Sequence, residues 1–311
     1  MGIQLEILMY LQSIRSPLLN ALFLILTIST EVPIIVLFSA LMYWCINKKF
    51  GQRILFSLIG NFVVNTGIKE YVRAPRPIGT DGLESLRVST ATGYSFPSGH
   101  TQTATSFWTS FMILAKNNWM YILGIIMILA VGISRLYLAV HWPIDVAFGW
   151  IFGIFFSIVL IKIFDYVDEN KKYWILLLLL VMLSVVGYFL NSESYIEYFG
   201  ILTGFVLGYI VEDIFINFST DRKSKGYINF SKNRKNESSL IINIKKFLVG
   251  IISLGIVYII LKYTVGIIPN YFDVSNIDSF DMVTNYIRYS IVVFYAVAGV
   301  PALFKVLNLD N

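Results

Sequence analysis

The chain has only two histidines, His100 and His141, and each sits among residue types suited to binding phosphate. His141 is followed four positions later by Asp145 and preceded six positions earlier by Arg135, within SRLYLAVHWPID. A carboxylate on one ring nitrogen fixes the tautomer and leaves the other nitrogen free to attack, the orienting logic of a triad without its serine. His100 closes the run SFPSGH, directly ahead of an apolar stretch. There Ser98 is placed to cap a helix, and Gly99 lets backbone N–H groups approach an anion at a helix start that carries about half a positive charge. A third run, KEYVRAPRP, supplies Lys69 and Arg76 between two prolines, Pro75 and Pro77. Lysine offers a point charge and arginine a planar fork, and a transferring phosphoryl group needs several such cations around its oxygens.

Each run has a plainer explanation when taken alone. Pro-Ser-Gly-His could be an ordinary capped helix start with a surface histidine. Lys69 and Arg76 could snorkel from helix ends to lipid headgroups. His141 and Asp145 could merely hold a turn. A serine nucleophile at Ser98 is disfavoured, because no Gly-x-Ser-x-Gly elbow surrounds it.

The elements that must carry these residues are apolar helices. With 57% hydrophobic residues, 14% charged residues and a mean hydropathy of +0.71, the chain has too little polar surface for a water-soluble globule of 311 residues. It reads as an all-α polytopic membrane helical bundle. Nine apolar stretches approach the roughly 20 residues needed to cross about 30 Å of hydrocarbon. They lie near 30–47, 52–69, 101–115, 119–140, 143–164, 173–190, 195–213, 241–266 and 286–307. Residues 3–28 are apolar but broken by Arg15 and Pro17, which predicts a pair of interfacial helices. The start of the chain lacks the pattern of a signal peptide, and Glu6 stands where a myristoylation signal has Ser or Thr, so an unprocessed N-terminus is expected. Cys45 is the single cysteine, which excludes an intrachain disulfide and a cysteine-based metal site.

Loop charge sets an orientation. Lys48, Lys49, Arg53, Lys116, Lys171, Lys172 and the basic residues of 214–240 fall on one side, which the positive-inside rule makes cytoplasmic. The opposite side holds Lys69, Arg73, Arg76, Arg87 and Arg135. This local reversal of the charge bias is what an outward-facing anion site would produce. Three Asn-x-Ser triplets, at Asn217, Asn229 and Asn236, fall on the cytoplasmic side, where they would not be glycosylated. That fact and a composition rich in Ile, Lys and Asn point to a bacterial plasma membrane.

Taken in order, Lys-x6-Arg-Pro, Pro-Ser-Gly-His and Ser-Arg-x5-His-x3-Asp resemble the signature of the type 2 phosphatidic acid phosphatase (PAP2) family, which shares its site with vanadium haloperoxidases. The resemblance covers about residues 30–165 and every signature position is filled. It implies that His141 is the nucleophile that forms a phosphohistidine and that Asp145 orients it. His100 would protonate the leaving group and then activate water, while Lys69, Arg76, Ser98, Gly99 and Arg135 hold the phosphate oxygens. No cofactor, metal or nucleic acid is implied. The implied organisation is an interfacial segment at 1–29, a PAP2-like catalytic core at 30–168, and about four additional transmembrane helices at 169–311, with a basic cytoplasmic loop at 214–240.

The expected activity is metal-independent hydrolysis of a membrane lipid phosphate or diphosphate at the outer face. Substrates in view are phosphatidic acid, phosphatidylglycerophosphate, sphingoid phosphates and undecaprenyl diphosphate. A different class, a non-enzymatic lipid- or partner-binding membrane protein, would need the cations but not the histidine pair. The loop from Ile78 to Tyr94 and the helix faces would read the lipid, and their sequence names none. The helices after residue 168 could shape a lipid path, bind a partner or mediate a homo-oligomer, and their sequence does not choose.

Overall fold

The structure is a computed structural model that describes residues 2–220, 239–267 and 277–309. Among these residues all the regular elements are helical: α1 (Gly2–Ser13), α2 (Pro17–Ile28), α3 (Val32–Leu41), α4 (Lys48–Val72), α5 (Gly99–Ala115), α6 (Asn118–Tyr137), α7 (Pro143–Asn170), α8 (Trp174–Leu190), α9 (Glu193–Val211), α10 (Ser239–Ile267), α11 (Ile277–Phe294) and α12 (Val300–Val306). The nine apolar stretches therefore all fall on helices. Three run on through π-helical turns, at Met42–Ile46, Glu212–Ile216 and Tyr295–Gly299, which the apolar pattern did not foretell. Most of the basic loop expected at 214–240 lies outside the described residues.

Helix ends follow local chemistry. Ser16, Asn47, Asn117 and Ser192 each accept a backbone N–H at a helix start, while Pro17, Pro33 and Pro143 occupy first turns where a missing N–H costs nothing. Arg15 and Pro17 break the N-terminal stretch as expected, and α1 and α2 meet at 119°. This pair is tied to the functional end of the bundle. Leu8 of α1 is fully buried against Leu83 and Ala139, and Gln4 accepts the Ile144 N–H at the start of α7. Phe23 of α2 packs on Tyr137 with the rings tilted by 34° and their centroids 4.3 Å apart.

Among the described residues five helices are long and apolar enough to cross a membrane, at Asn118–Tyr137, Pro143–Asn170, Glu193–Ile216, Leu240–Thr264 and Phe280–Val306, and the α1–α2 pair would make a sixth if it counts as one span. The protein is an integral multi-pass membrane protein. The sequence count of nine crossings is narrowed by this measure for two physical reasons. The α3 stretch Val32–Ile46 and α8 are apolar but short. Helices α4 and α5 bury a run of polar side chains between them, including Ser57, Asn61, Gln102 and Ser106.

Helix α5 is gripped between α4 and α7. Close approach requires small residues: a Cβ on Gly153 of α7 would stand 2.6 Å from Thr105 Cβ. Beyond residue 170, four apolar rods, α8, α9, α10 and α11 with α12, extend the bundle. They join it through a cluster of buried aromatic and aliphatic side chains, among them Phe56, Phe164, Phe205 and Tyr209. At the end of the bundle away from the histidines, Lys48 of α4 pairs with fully buried Glu212 at 2.6 Å, and Lys171 pairs with Asp213 at 2.8 Å.

Candidate active site

The three motifs converge where α4 ends and α5 and α7 begin. A cavity of about 430 Å³ opens there, and Lys69, Arg76, Gly99, His100 and His141 all line it. Five of the eight expected site residues thus face one space. Ser98, Arg135 and Asp145 stand behind its wall.

His141 lies in the turn between α6 and α7 and is 1% exposed. Arg76 Nη1 lies 3.0 Å from its Nε2, and an arginine can only donate, so Nε2 is the unprotonated nitrogen. The Nδ1–H then faces Asp145 Oδ2 at 3.4 Å. Asp145 is held in turn by the Trp142 N–H at 2.8 Å and by the Ser95 hydroxyl, which also lies 3.3 Å from His141 Nδ1. Asp145 therefore both caps α7 and faces the imidazole: the plain capping explanation and the orienting one are met by the same carboxylate. Burial, and then the charges of Lys69 and Arg76, hold the His141 imidazole well below its ordinary value, so the ring is neutral at pH 7.

Ser98 is the N-cap of α5 and fully buried. Its hydroxyl accepts from Thr101 Oγ1 at 2.9 Å, and its backbone N–H donates to the Asp145 carbonyl at 3.0 Å. The serine oxygen thus accepts bonds from its own helix while its O–H proton is not committed to them, and the cavity wall at this point is Gly99 and His100. The Ser98–Asp145 bond locks the start of α5 to the start of α7, bringing the two histidine motifs together.

The cations are placed by backbone carbonyls. Lys69 Nζ donates to Tyr94 O at 2.7 Å, and Arg76 donates to Gly93 O at 2.9 Å, Thr92 O at 2.6 Å and Val140 O at 3.0 Å. The C-terminal end of the Ile78–Tyr94 loop is thereby drawn onto the motif residues. Arg135 is fully buried and donates from Nη1 to Thr27 Oγ1 of α2 at 2.7 Å. Its Nε and Nη2 have no hydrogen-bond partner among the described residues. A buried guanidinium with two unmet donors beside an anion-sized cavity is a charge waiting for an acceptor.

Sequence reasoning missed four contributors. Ser95 holds Asp145; Thr27 holds Arg135; Asn65 lines the cavity beside Gly99; and Glu31, paired with Arg87, forms part of the opposite wall. Ser95 stood in view, opening the SFPSGH run. Asn65 stands one helical turn before Lys69 on α4 and could have been found from that period, whereas Thr27 and Glu31 come from segments that only the fold brings near.

An all-helical membrane bundle with a neutral, carboxylate-held histidine in a cation-lined cavity defines a narrow class. The model of the PAP2 superfamily matches residues 51–169, and that of the PAP2 superfamily phosphatase transmembrane extension matches residues 196–311. An undecaprenyl-diphosphatase of Sulfolobus acidocaldarius is 34% identical over 37% of this chain and 56% of its own length. Sphingosine-1-phosphate phosphatase 1 of Mus musculus is 26% identical over 49% of the chain and 36% of its own length. Phosphatidylglycerophosphatase B of Bacillus subtilis is 30% identical over 51% of the chain and 81% of its own length. The chain spans about half the length of the first of these relatives and about a third of the second. It belongs to the PAP2 superfamily.

Proposed function

We propose that this chain is a metal-independent lipid phosphate phosphatase that works through a phosphohistidine at the outer face of its membrane. The observation that carries the reading is the setting of His141: Nδ1 lies 3.4 Å from Asp145 Oδ2, and Nε2 lies 3.0 Å from Arg76 at the cavity. His141 Nε2 attacks phosphorus as the P–O bond to the lipid breaks, and His100 gives its proton to the departing oxygen. His100 then takes a proton from water, whose oxygen attacks the phosphohistidine; the P–N bond breaks and inorganic phosphate leaves. Lys69, Arg76, the Gly99 backbone and the unmet donors of Arg135 stabilise the charge on the equatorial oxygens, supplying what a metal supplies elsewhere. Ser98 serves this cradle by holding the start of α5. The catalytic core is assigned to 30–168, with 169–311 as the added transmembrane region.

Outward orientation is supported by charge. Lys48, Lys49, Arg53 and Lys171 line one cavity at the end of the bundle opposite the histidines, and the positive-inside rule makes that end cytoplasmic. A bacterial plasma membrane fits the composition. The lipids to be tested are undecaprenyl diphosphate, sphingosine-1-phosphate and phosphatidylglycerophosphate, taken from the relatives' names, together with phosphatidic acid. In detergent, the wild-type protein is expected to release phosphate from at least one of these lipids, and His141→Ala to release none above background. Equal release by both proteins, or release from soluble esters alone, overturns the reading.

A further inference from the structure

The interface between α4 and α5 is built from hydrogen bonds where hydrocarbon side chains would have served for cohesion alone. On α4, Ser57, Asn61 and Asn65 recur every four residues and share one face; on α5, Gln102, Ser106 and Ser110 do the same. All six are buried, none more than 6% exposed. Their amides run head to tail. Asn65 Nδ2 donates to Gln102 Oε1 at 2.8 Å, Gln102 Nε2 donates to Asn61 Oδ1 at 3.0 Å, and Asn61 Nδ2 donates to Ser106 Oγ at 3.0 Å. Deeper in, Ser110 donates to Ser57 at 2.8 Å, and Ser157 of α7 donates to Ser106 at 2.9 Å.

The upper end of this ladder is part of the candidate site. Asn65 lines the cavity, and its Nδ2 also lies 3.4 Å from the Pro97 carbonyl. A Cβ on Gly99 would stand 3.5 Å from its Oδ1 and 3.9 Å from Lys69 Cε. The ladder therefore ends against the backbone of the cradle and beside the lysine.

Hydrogen bonds between membrane helices contribute little net cohesion, because an unfolded segment in the bilayer also finds partners. What they add is specificity. An apolar stripe tolerates a small slide or rotation, whereas an amide has a fixed length and direction, and a slip of α5 by one residue would leave buried amides unpaired.

We propose that Asn61, Asn65 and Gln102 are positioning residues that set the height and rotation of α5 on α4, and so hold Gly99 and His100 at working distance from Lys69 and His141. Ser157 carries the same register to α7, in concert with the Ser98–Asp145 backbone bond. As far as turnover is concerned, the inference rests on the phosphatase reading.

The test is Gln102→Leu beside Gln102→Met, which keeps an unbranched chain of similar length should the leucine variant not fold. Ser110→Ala at the far end of the ladder is the control. Turnover is read on whichever panel lipid the wild-type protein hydrolyses, and the His100 imidazole is read by nitrogen NMR in the same detergent. The Gln102 variants are expected to lose at least about tenfold in kcat with KM within about threefold, since a displacement of about 1 Å costs up to about 10²-fold. Any fall in their unfolding temperatures should be too small to account for that loss, while their His100 signals shift or broaden and those of Ser110→Ala do not. Wild-type kcat and unchanged His100 signals in the Gln102 variants overturn the proposal, as do losses that merely follow unfolding temperature across all three variants. A wild-type protein that releases no phosphate counts against the phosphatase reading instead, and the His100 signals then decide the positioning role by themselves.

Discussion

Helices α4 and α5 meet through a ladder of buried side-chain amides and hydroxyls, whereas α9 and α11 meet chiefly through glycines that let backbones touch, with Asn285 donating to Glu193 and Glu197 and Tyr286 to Thr203 along the same seam. On α9, Gly200, Gly204 and Gly208 lie one turn apart and face α11 so closely that a Cβ on Gly200 would stand 2.8 Å from the Tyr286 carbonyl, and one on Gly208 2.9 Å from Val297 Cβ. Such contact maximises dispersion between backbones, the main source of attraction once lipid tails have cancelled the hydrophobic effect. The polar pair gains less from contact and more from direction. At the α9–α11 seam backbone contact supplies cohesion, and at the α4–α5 seam bonds of fixed length and direction supply register. The aromatic cluster of Phe56, Phe164 and Phe205 is where one region is fastened to the other.

The largest expected effect breaks chemistry without cohesion. His100→Asn is expected to lower kcat by about 10²- to 10⁴-fold, the usual loss of a general acid–base group, with an unchanged unfolding temperature. A variant that loses stability in step with turnover would show that the site helices also depend on this residue for cohesion.

The opposite break falls on Gly204, where an added Cβ would collide with the Ser290 carbonyl. Gly204→Leu must push α9 from α11, an overpacking that costs about 1 to 3 kcal/mol or more. A lower unfolding temperature is expected, with turnover per folded molecule retained within about threefold. Loss of turnover in protein that remains folded would mean that the C-terminal region does more than hold the bundle.

Both regions were legible in the sequence, to different depths. The site was visible because His, Asp, Arg and Lys are scarce in an apolar chain and their spacing is chemically restrictive. Ser98 and Gly99 were placed correctly at the start of α5, although the serine hydroxyl turned out to be bonded within the helix. Arg135 could not be seen to stand behind the cavity wall, because that depends on Thr27, 108 positions away. The ladder was overlooked although its period was present: Ser57, Asn61, Asn65 and Gln102, Ser106, Ser110 repeat at four. Serine and asparagine in a helix carry no signal until a partner with the same period is set beside them. The glycines of α9 share that period, and only the fold shows that α11 is what they receive.

The smallest effect sharpens the comparison at a single proton. If polar ties in the site region fix atoms rather than add cohesion, the His141 ring should be held in one tautomer, with Nδ1–H toward Asp145 and Nε2 bare beside Arg76. Burial, followed by Lys69 and Arg76, depresses its proton affinity below the ordinary value of 6.5. The folded ring therefore stays neutral as the pH falls through 6.5, while the unfolded chain takes up a proton there. Stability contributed by this group is present above that pH and declines below it. With His100→Asn leaving one histidine, nitrogen NMR should show a neutral Nδ1–H imidazole at pH 6.5 and an unfolding temperature that drops on further acidification. A ring that titrates near 6.5, or one protonated on Nε2, would mean that the Asp145–Ser95 pair does not set the tautomer, and that the site is held no more tightly than the helices around it.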